Sequence, residues 1–276
     1  MTRLSNLLAA SALLLTATFA VTLATAPVAR AADEPAAATE KYVPTVLITG
    51  ANRGIGLEYV REYAARGWNV IGTARKPAEA TELNELAKAN PRVTVEQLDV
   101  SDLASIDALA GRWKGKPVDI LVNNAGITGT PMDQMFGKMK YEVFDQVFRT
   151  NVVGPMKMAE AFLPNLEASQ QKKLVNVSSS EGSIGSVTMG RTFFYRASKA
   201  ALNMEMKNLA VVLKNRKIAV AMINPGPVDT DMMKGMPKSM LRTKESAVSD
   251  MIRITDRLNL DNTGLFWNYS GEFLPW

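Results

Sequence analysis

From Pro44 onward the chain alternates short apolar runs with longer stretches of helical periodicity, and this alternation limits the possible folds more than any other feature. The runs are VLIT (46–49), WNVIGT (68–73), VTVEQLDV (93–100), VDILVNNAG (118–126), KLVNVSS (173–179), IAVAMINPG (218–226) and GLFWNY (264–269). Helix-like stretches fill the gaps at 54–66, 78–89, 102–113, 141–168 and 195–215. Strands this apolar are expected where helices cover both faces of a parallel sheet.

With 276 residues and 47% hydrophobic content, the chain can bury one large core. The expected class is α/β: a single-domain, Rossmann-type, doubly wound parallel sheet of about seven strands, spanning 44–276 with helices on both faces. Ahead of it, Leu7 to Ala29 carries no charge and leads into VARAADEP, where Ala29 and Ala31 satisfy the small-x-small cleavage rule. Residues 1–31 therefore read as a signal peptide that directs export to the periplasm or medium, and 32–43, Ala-rich and polar, as a linker. The alternative is an uncleaved membrane anchor, since the apolar run is long enough to span a bilayer. Arg3 and Arg30 supply two of the five excess positive charges, so the body is too weakly basic to argue for nucleic acid. There is no cysteine for disulfides or thiol redox chemistry. The absence of histidine excludes histidine triads and the commonest zinc sites, and no metal is expected.

The first apolar run leads directly into TGANRGIG (49–56) and then into a helix-like stretch. Glycines at 50, 54 and 56 permit a tight turn, close approach of a pyrophosphate and close packing of helix on strand, while the helix N-terminus offers free N–H groups. Cofactor-binding residues expected in this turn are Gly50, Asn52, Arg53, Gly54, Ile55 and Gly56. The end of the second run, GTARK, has no acid to accept ribose hydroxyls; Arg75 and Lys76 stand there, with Arg53 in the turn. Arginine suits bidentate phosphate contact, so NADP(H) is expected in preference to NAD(H).

The spacing Gly-x-x-x-Gly-x-Gly resembles the short-chain dehydrogenase/reductase family. Further motifs follow in that family's order: LDV (98–100), NNAG (123–126), Asn151 in FRTNVVGP, NVSSSEG (176–182), YRASK (195–199) and NPGPVDT (224–230). The resemblance implies that Asp99 and Val100 flank an adenine, that Asn123, Ala125 and Gly126 line the cofactor groove, and that Pro225, Gly226, Val228 and Thr230 close over the nicotinamide. Asp99 has an alternative role as a cap for the next helix, and NNAG as a plain turn. The ending GEFLPW, with GTAR, YRASKAALN and a short segment after NPGPVDT, is similar to the C-factor-like or sniffer-like carbonyl reductase branch.

Tyr195 and Lys199, at i and i+4, share one helix face. An ammonium about 5 Å from a phenol, at an effective dielectric of about 20, stabilises the phenolate by roughly 3 kcal/mol, or about two pKa units. The family resemblance makes Tyr195 the acid–base residue and Lys199 the group that lowers its pKa and holds the nicotinamide ribose. It also makes Ser179 the group that polarises the substrate oxygen and Asn151 part of a proton relay. Counting back three from Gly182 selects Ser179, with Ser178 as the alternative; the gap of 16 to Tyr195 is longer than usual in the family, so the loop between must reshape one wall of the site.

Four methionines, at 232, 233, 236 and 240, make 231–242 either a lid over an apolar substrate or helix core. The expected function is an NADP-dependent oxidoreductase acting on a small, apolar carbonyl or alcohol; the alternative is a non-catalytic nucleotide-binding or signalling protein on the same fold. A homodimer or homotetramer is a family expectation, through pairing of the stretches 141–168 and 195–215.

Overall fold

The computed structural model describes residues 42–276. The signal peptide and residues 32–41 of the linker lie outside the described residues. Seven strands, β1 (Thr45–Ile48), β2 (Asn69–Ala74), β3 (Val93–Gln97), β4 (Ile120–Asn123), β5 (Lys173–Val177), β6 (Ala219–Asn224) and β7 (Leu265–Asn268), form one sheet in the order β3-β2-β1-β4-β5-β6-β7. Every pair is parallel. The order reverses direction between β1 and β4, and the crevice beyond the carboxyl ends of such strands is where ligands bind in open α/β sheets.

Strand residues alternate between two cores. Val46 and Ile48, Ile120 and Val122, Val175 and Val177, and Ala221 and Ile223 face one side, packed by α1 (Gly54–Ala65), α2 (Thr81–Ala89) and α8 (Lys244–Arg257). Leu47, Leu121, Leu174, Val220 and Met222 face the other, under α3 (Leu103–Arg112), α5 (Gly154–Ala161) and α7 (Phe193–Leu213). Along β1, β2, β4, β5 and β6 nearly every residue is buried, which explains the continuous hydrophobicity of those strands.

Three helical expectations change. The stretch 141–168 is not one helix: α4 (Tyr141–Phe148) passes through a π-helical turn, Arg149–Val153, into α5, and Pro164 forces a restart as α6 (Leu163–Glu167). Helix α2 begins at Thr81 because Pro77–Glu79 is a separate 3-10 turn. Helix α8 was not anticipated; Thr243 caps it by accepting from the Ser246 N–H, and Val248, Met251 and Ile252 recur at helical spacing. Of the two readings of 231–242, helix core is excluded: it forms only two 3-10 turns, Asp231–Met233 and Lys238–Met240, and Met232, Met236 and Met240 are exposed.

The linker reading stops short of Val43, because the folded body begins at Tyr42. Asp119, fully buried, accepts from the Tyr42 hydroxyl (2.7 Å) and the Thr45 N–H (2.8 Å) on one oxygen, and from the Gln170 and Gln171 N–H groups (both 3.1 Å) on the other. Burial and this carboxylate push the Tyr42 phenol up to about 12. Asp119→Ala leaves several donors without an acceptor and is expected to cost about 3 kcal/mol or more, against about 1 kcal/mol for Tyr42→Phe. Equal midpoints in urea for the two variants would show that the Asp119 network contributes nothing beyond the tyrosine.

Candidate active site

The glycine turn leaves β1 with Gly50 and Gly54 at positive φ (67° and 59°). At Gly56 the reason for glycine is contact: a Cβ there would lie 2.2 Å from the Gly50 carbonyl oxygen and 2.6 Å from the Asn124 side chain. The turn is stapled to the end of β4 by two residues that the sequence reading missed. Asn124 donates to the Thr49 (2.8 Å) and Gly50 (3.2 Å) carbonyls, and the Thr49 hydroxyl accepts from the Asn124 and Ala125 N–H groups, both at 3.0 Å. No side chain caps the N-terminus of α1, so its first-turn N–H groups and positive dipole end suit a phosphate.

Around this turn, Asn52 and Arg53 are exposed, and Ile55 is half-buried. Arg53 pairs with Asp231 at 2.9 Å, both side chains more than two-thirds exposed. Arg75 is exposed at the end of β2 and takes part in no ion pair among the described residues, whereas Lys76 pairs with Glu79 at 2.9 Å. Asp99 holds the turn after β3, its Oδ1 accepting from the Ser101 N–H (2.9 Å) and hydroxyl (2.6 Å), and Val100 is buried beside it. The cap of α3 is Asp102, not Asp99.

Asn123 corrects an expectation: its side chain does not line the groove. It is buried and donates to Asn176 Oδ1 (2.9 Å) and the Pro155 carbonyl (3.3 Å), so it ties β4 to β5 and α5. Ala125 and Gly126 are half-buried. On the far side, Gly226 has φ 76°, and a Cβ there would lie 2.7 Å from the Tyr269 ring. Arg242, also missed, packs on that ring with its guanidinium carbon 3.9 Å from the centroid, donates to the Pro225 carbonyl (2.9 Å) and pairs with Asp250. Its backbone exchanges hydrogen bonds with Pro227 and Asp229, fixing buried Val228 and the strap that ends at Thr230.

Ser178 and Ser179 separate clearly. The Ser178 hydroxyl is buried and donates to Asn203 at 2.6 Å, whereas Ser179 is half-buried, its hydroxyl accepts from the Glu181 N–H (3.2 Å), and it lies close enough to the Tyr195 phenol to bear on its titration. Gly182 allows this loop to lie on α7: a Cβ there would sit 2.8 Å from the Lys199 carbonyl carbon. Lys199 is buried, donates to the Val177 carbonyl at 2.9 Å and lies 5.8 Å from the Tyr195 ring centroid. Asn151 sits in the π turn; its amide accepts from the Ile127 N–H (2.9 Å) and donates to the Ile127 carbonyl (2.8 Å) and Ser198 (3.0 Å). Both of its side-chain N–H groups are thereby used, and its oxygen accepts one bond. The longer loop from Ile184 to Arg191 is exposed, tied by Gly185 to the Trp276 carbonyl (2.8 Å) and by Arg191 to Glu181 (2.7 Å).

Electrostatics overturn one sequence argument. The Tyr195 phenol is raised, not lowered: burial outweighs the opposing pull of the Ser179 hydroxyl, and the Glu181 carboxylate pushes the same way as burial. Lys199 is the group brought down, to about 8, by burial without a carboxylate partner. In the unfolded chain a lysine titrates near 10.5. Folding therefore carries a cost at and below pH 8 that shrinks as pH rises and disappears above about 10.5. Lys199→Met is expected to raise stability at pH 7 by roughly 1–3 kcal/mol, allowing for the lost Val177 bond, and to lose that gain by pH 10.5. Denaturation curves at the two pH values check this; a variant less stable at both would contradict it.

Residues 44–240 match the family model described as short chain dehydrogenase. An uncharacterized oxidoreductase of Schizosaccharomyces pombe is 35% identical over 246 residues, covering 83% of this chain and 96% of its own. Among solved structures, an NADPH-bound carbonyl reductase from chicken fatty liver superposes with a TM-score of 0.79 at 33% identity, covering 85% of this chain and 99% of its own. The carbonyl reductase Sniffer of D. melanogaster gives 0.78 at 29% identity, covering 85% and 100%. Glycine turn, serine, tyrosine and lysine thus stand on a fold similar to that of these reductases, and the chain belongs to the short-chain dehydrogenase/reductase family of oxidoreductases.

Proposed function

We propose that the protein is an NADP(H)-dependent carbonyl reductase whose acid–base group is Tyr195. The observation that carries this reading is the convergence of Ser179, Tyr195 and Lys199 beside the glycine turn, at the carboxyl ends of β1, β4 and β5. A bound nicotinamide supplies the hydride or takes it up. A phenol raised by burial stays protonated at neutral pH and so can donate its proton to a carbonyl oxygen in the reductive direction. Ser179 polarises that oxygen as charge grows on it. Lys199, on the same helix face, places positive charge by the phenol when it becomes phenolate, and near neutral pH it is only partly deprotonated. Asn151 fixes the Ile127 backbone and α7 against one another, and this anchoring accounts for all of its side-chain bonds.

For the cofactor, Arg75 is available to a 2′-phosphate, and Arg53 joins it at small cost, since an exposed pair such as Arg53–Asp231 is worth about 0–1 kcal/mol. The NADPH-bound relative supports the same choice. The substrate is read as small and apolar. Met135 and Phe136 after β4, Ile184 and Met189 after β5, and Met232 and Met240 after β6 present exposed apolar side chains on the three segments that leave the site end of the sheet. Methionine-rich rims adapt to varied apolar shapes.

The charge-free run before Ala31 supports export, and the exposed Val153, Val211 and Val212 on the π turn and α7 support pairing of two copies across those helices. Mass spectrometry and sedimentation of the exported protein test both: Ala32 at the N-terminus and a dimer or larger are expected, and an intact leader or a monomer would overturn the respective reading.

In the central experiment the protein is titrated with NADPH and NADH, then assayed for NADPH oxidation against aldehydes, ketones and quinones, beside Tyr195→Phe and Arg75→Glu. Tyr195→Phe is expected to retain NADPH binding and lose about 10²-fold or more in turnover. Arg75→Glu should weaken NADPH by about ten- to a hundredfold and leave NADH little changed, the value of a charge-assisted phosphate contact. Turnover unaffected by Tyr195→Phe would refute the proposed chemistry, and equal loss of both nucleotides in Arg75→Glu would refute the 2′-phosphate role.

A further inference from the structure

Helix α7 carries the catalytic pair, yet nothing local caps its start. Thr192, the residue before it, is left-handed (φ 41°) and makes no capping hydrogen bond with its side chain. The cap comes instead from a residue 61 positions away: Gln134 Oε1 accepts the Tyr195 N–H at 3.0 Å. Gln134 is fully buried, and its Nε2 donates to the Thr128 carbonyl at 2.7 Å and, at 3.4 Å, to the Thr130 carbonyl. Gly129 makes room for this packing: at φ 69°, a Cβ would lie 2.7 Å from Val143 and 3.1 Å from Gln134 Nε2.

These bonds belong to a closed circuit. The Tyr195 carbonyl accepts from Ser198 Oγ (2.7 Å), which accepts from Asn151 Nδ2 (3.0 Å), and Asn151 holds both backbone groups of Ile127. Ile127 adjoins Thr128, whose carbonyl binds Gln134, and Gln134 returns to the Tyr195 N–H. Both backbone polar groups of Tyr195 are thus held by side chains, and the circuit links the strap after β4, the π turn and α7 through buried or half-buried groups.

We propose that Gln134 is a positioning residue for Tyr195: its amide bridges the strap after β4 to the first turn of α7 and fixes where the phenol stands relative to Ser179. The inference rests on Tyr195 being the acid–base group. Both ends of the amide are required, one to accept from α7 and one to donate to the strap. Gln134→Met removes both bonds. Gln134→Glu keeps the shape and the acceptor, but restores the donor only while the carboxyl is protonated.

The test measures turnover, NADPH binding and backbone hydrogen exchange for the wild type, Gln134→Met, Gln134→Glu and Tyr195→Phe. Gln134→Met is expected to lower kcat on the order of ten- to a hundredfold with NADPH binding within about twofold of wild type, because a misplaced catalytic group costs rate more than affinity. Exchange at the Tyr195 amide should quicken while the middle of α7 stays protected. Gln134→Glu should approach wild-type turnover at acid pH and fall toward Gln134→Met as pH rises, a limb absent from the wild type. The ionisable groups nearby, Asp133 paired with Lys140, Tyr195, Lys199, and Glu181 paired with Arg191 and Arg196, are common to wild type and both Gln134 variants, so the added limb is read as the difference from the wild-type profile. If Gln134→Met does not fold, the pH-dependent rescue in Gln134→Glu decides alone. Wild-type turnover in both Gln134 variants beside an inactive Tyr195→Phe would overturn the inference; full turnover in Tyr195→Phe would overturn the acid–base reading beneath it.

Discussion

A parallel sheet buried on both faces leaves its chemistry only one place to go. With Val46, Ile48, Ile120 and Val122 sealed on one side and Leu47, Leu121 and Leu174 on the other, polar groups collect where the strands end. The glycine turn follows β1, Arg75 follows β2, Asp99 follows β3, Asn124 follows β4, Ser179 follows β5 and Pro225 follows β6. The reversal of strand order between β1 and β4 opens the crevice there, and the Thr49–Asn124 staple holds its two lips at a fixed separation.

The same burial sets the electrostatics. Lys199 is brought down and Tyr195 pushed up because both lose water; Lys199 has no carboxylate partner, and the Glu181 carboxylate near Tyr195 adds to the effect of burial. Each is thereby less charged at neutral pH than it would be in solvent. The site accordingly holds a phenol and a lysine that are both costly to charge, and the fold accepts a stability cost for keeping that ammonium inside.

The strands were legible because their apolar runs have no other home, and the glycine turn because Gly50, Gly54 and Gly56 each answer a backbone demand. Counting back from Gly182 points to Ser179, and the structure sets it apart from Ser178, whose hydroxyl is buried against Asn203. What escaped was set by distant partners. Gln134 and Asn124 look like ordinary loop amides until the sheet brings α7 and the glycine turn against them. Asn123 was assigned to the groove because the motif continues through it, but strand alternation turns it inward toward Asn176. The direction of the Tyr195 shift failed because a pairwise Coulomb sum omits desolvation. Helix α8 had a readable signal in the Thr243 cap and its apolar spacing.

The most direct measurement follows the hydride itself. With NADPH deuterated at the transferred position of the nicotinamide and an apolar aldehyde as acceptor, mass spectrometry of the alcohol should find the label on the former carbonyl carbon in the wild type and only traces with Tyr195→Phe. An alcohol without label, or NADPH bound and never consumed with any carbonyl, would contradict the assignment of this site to carbonyl reduction.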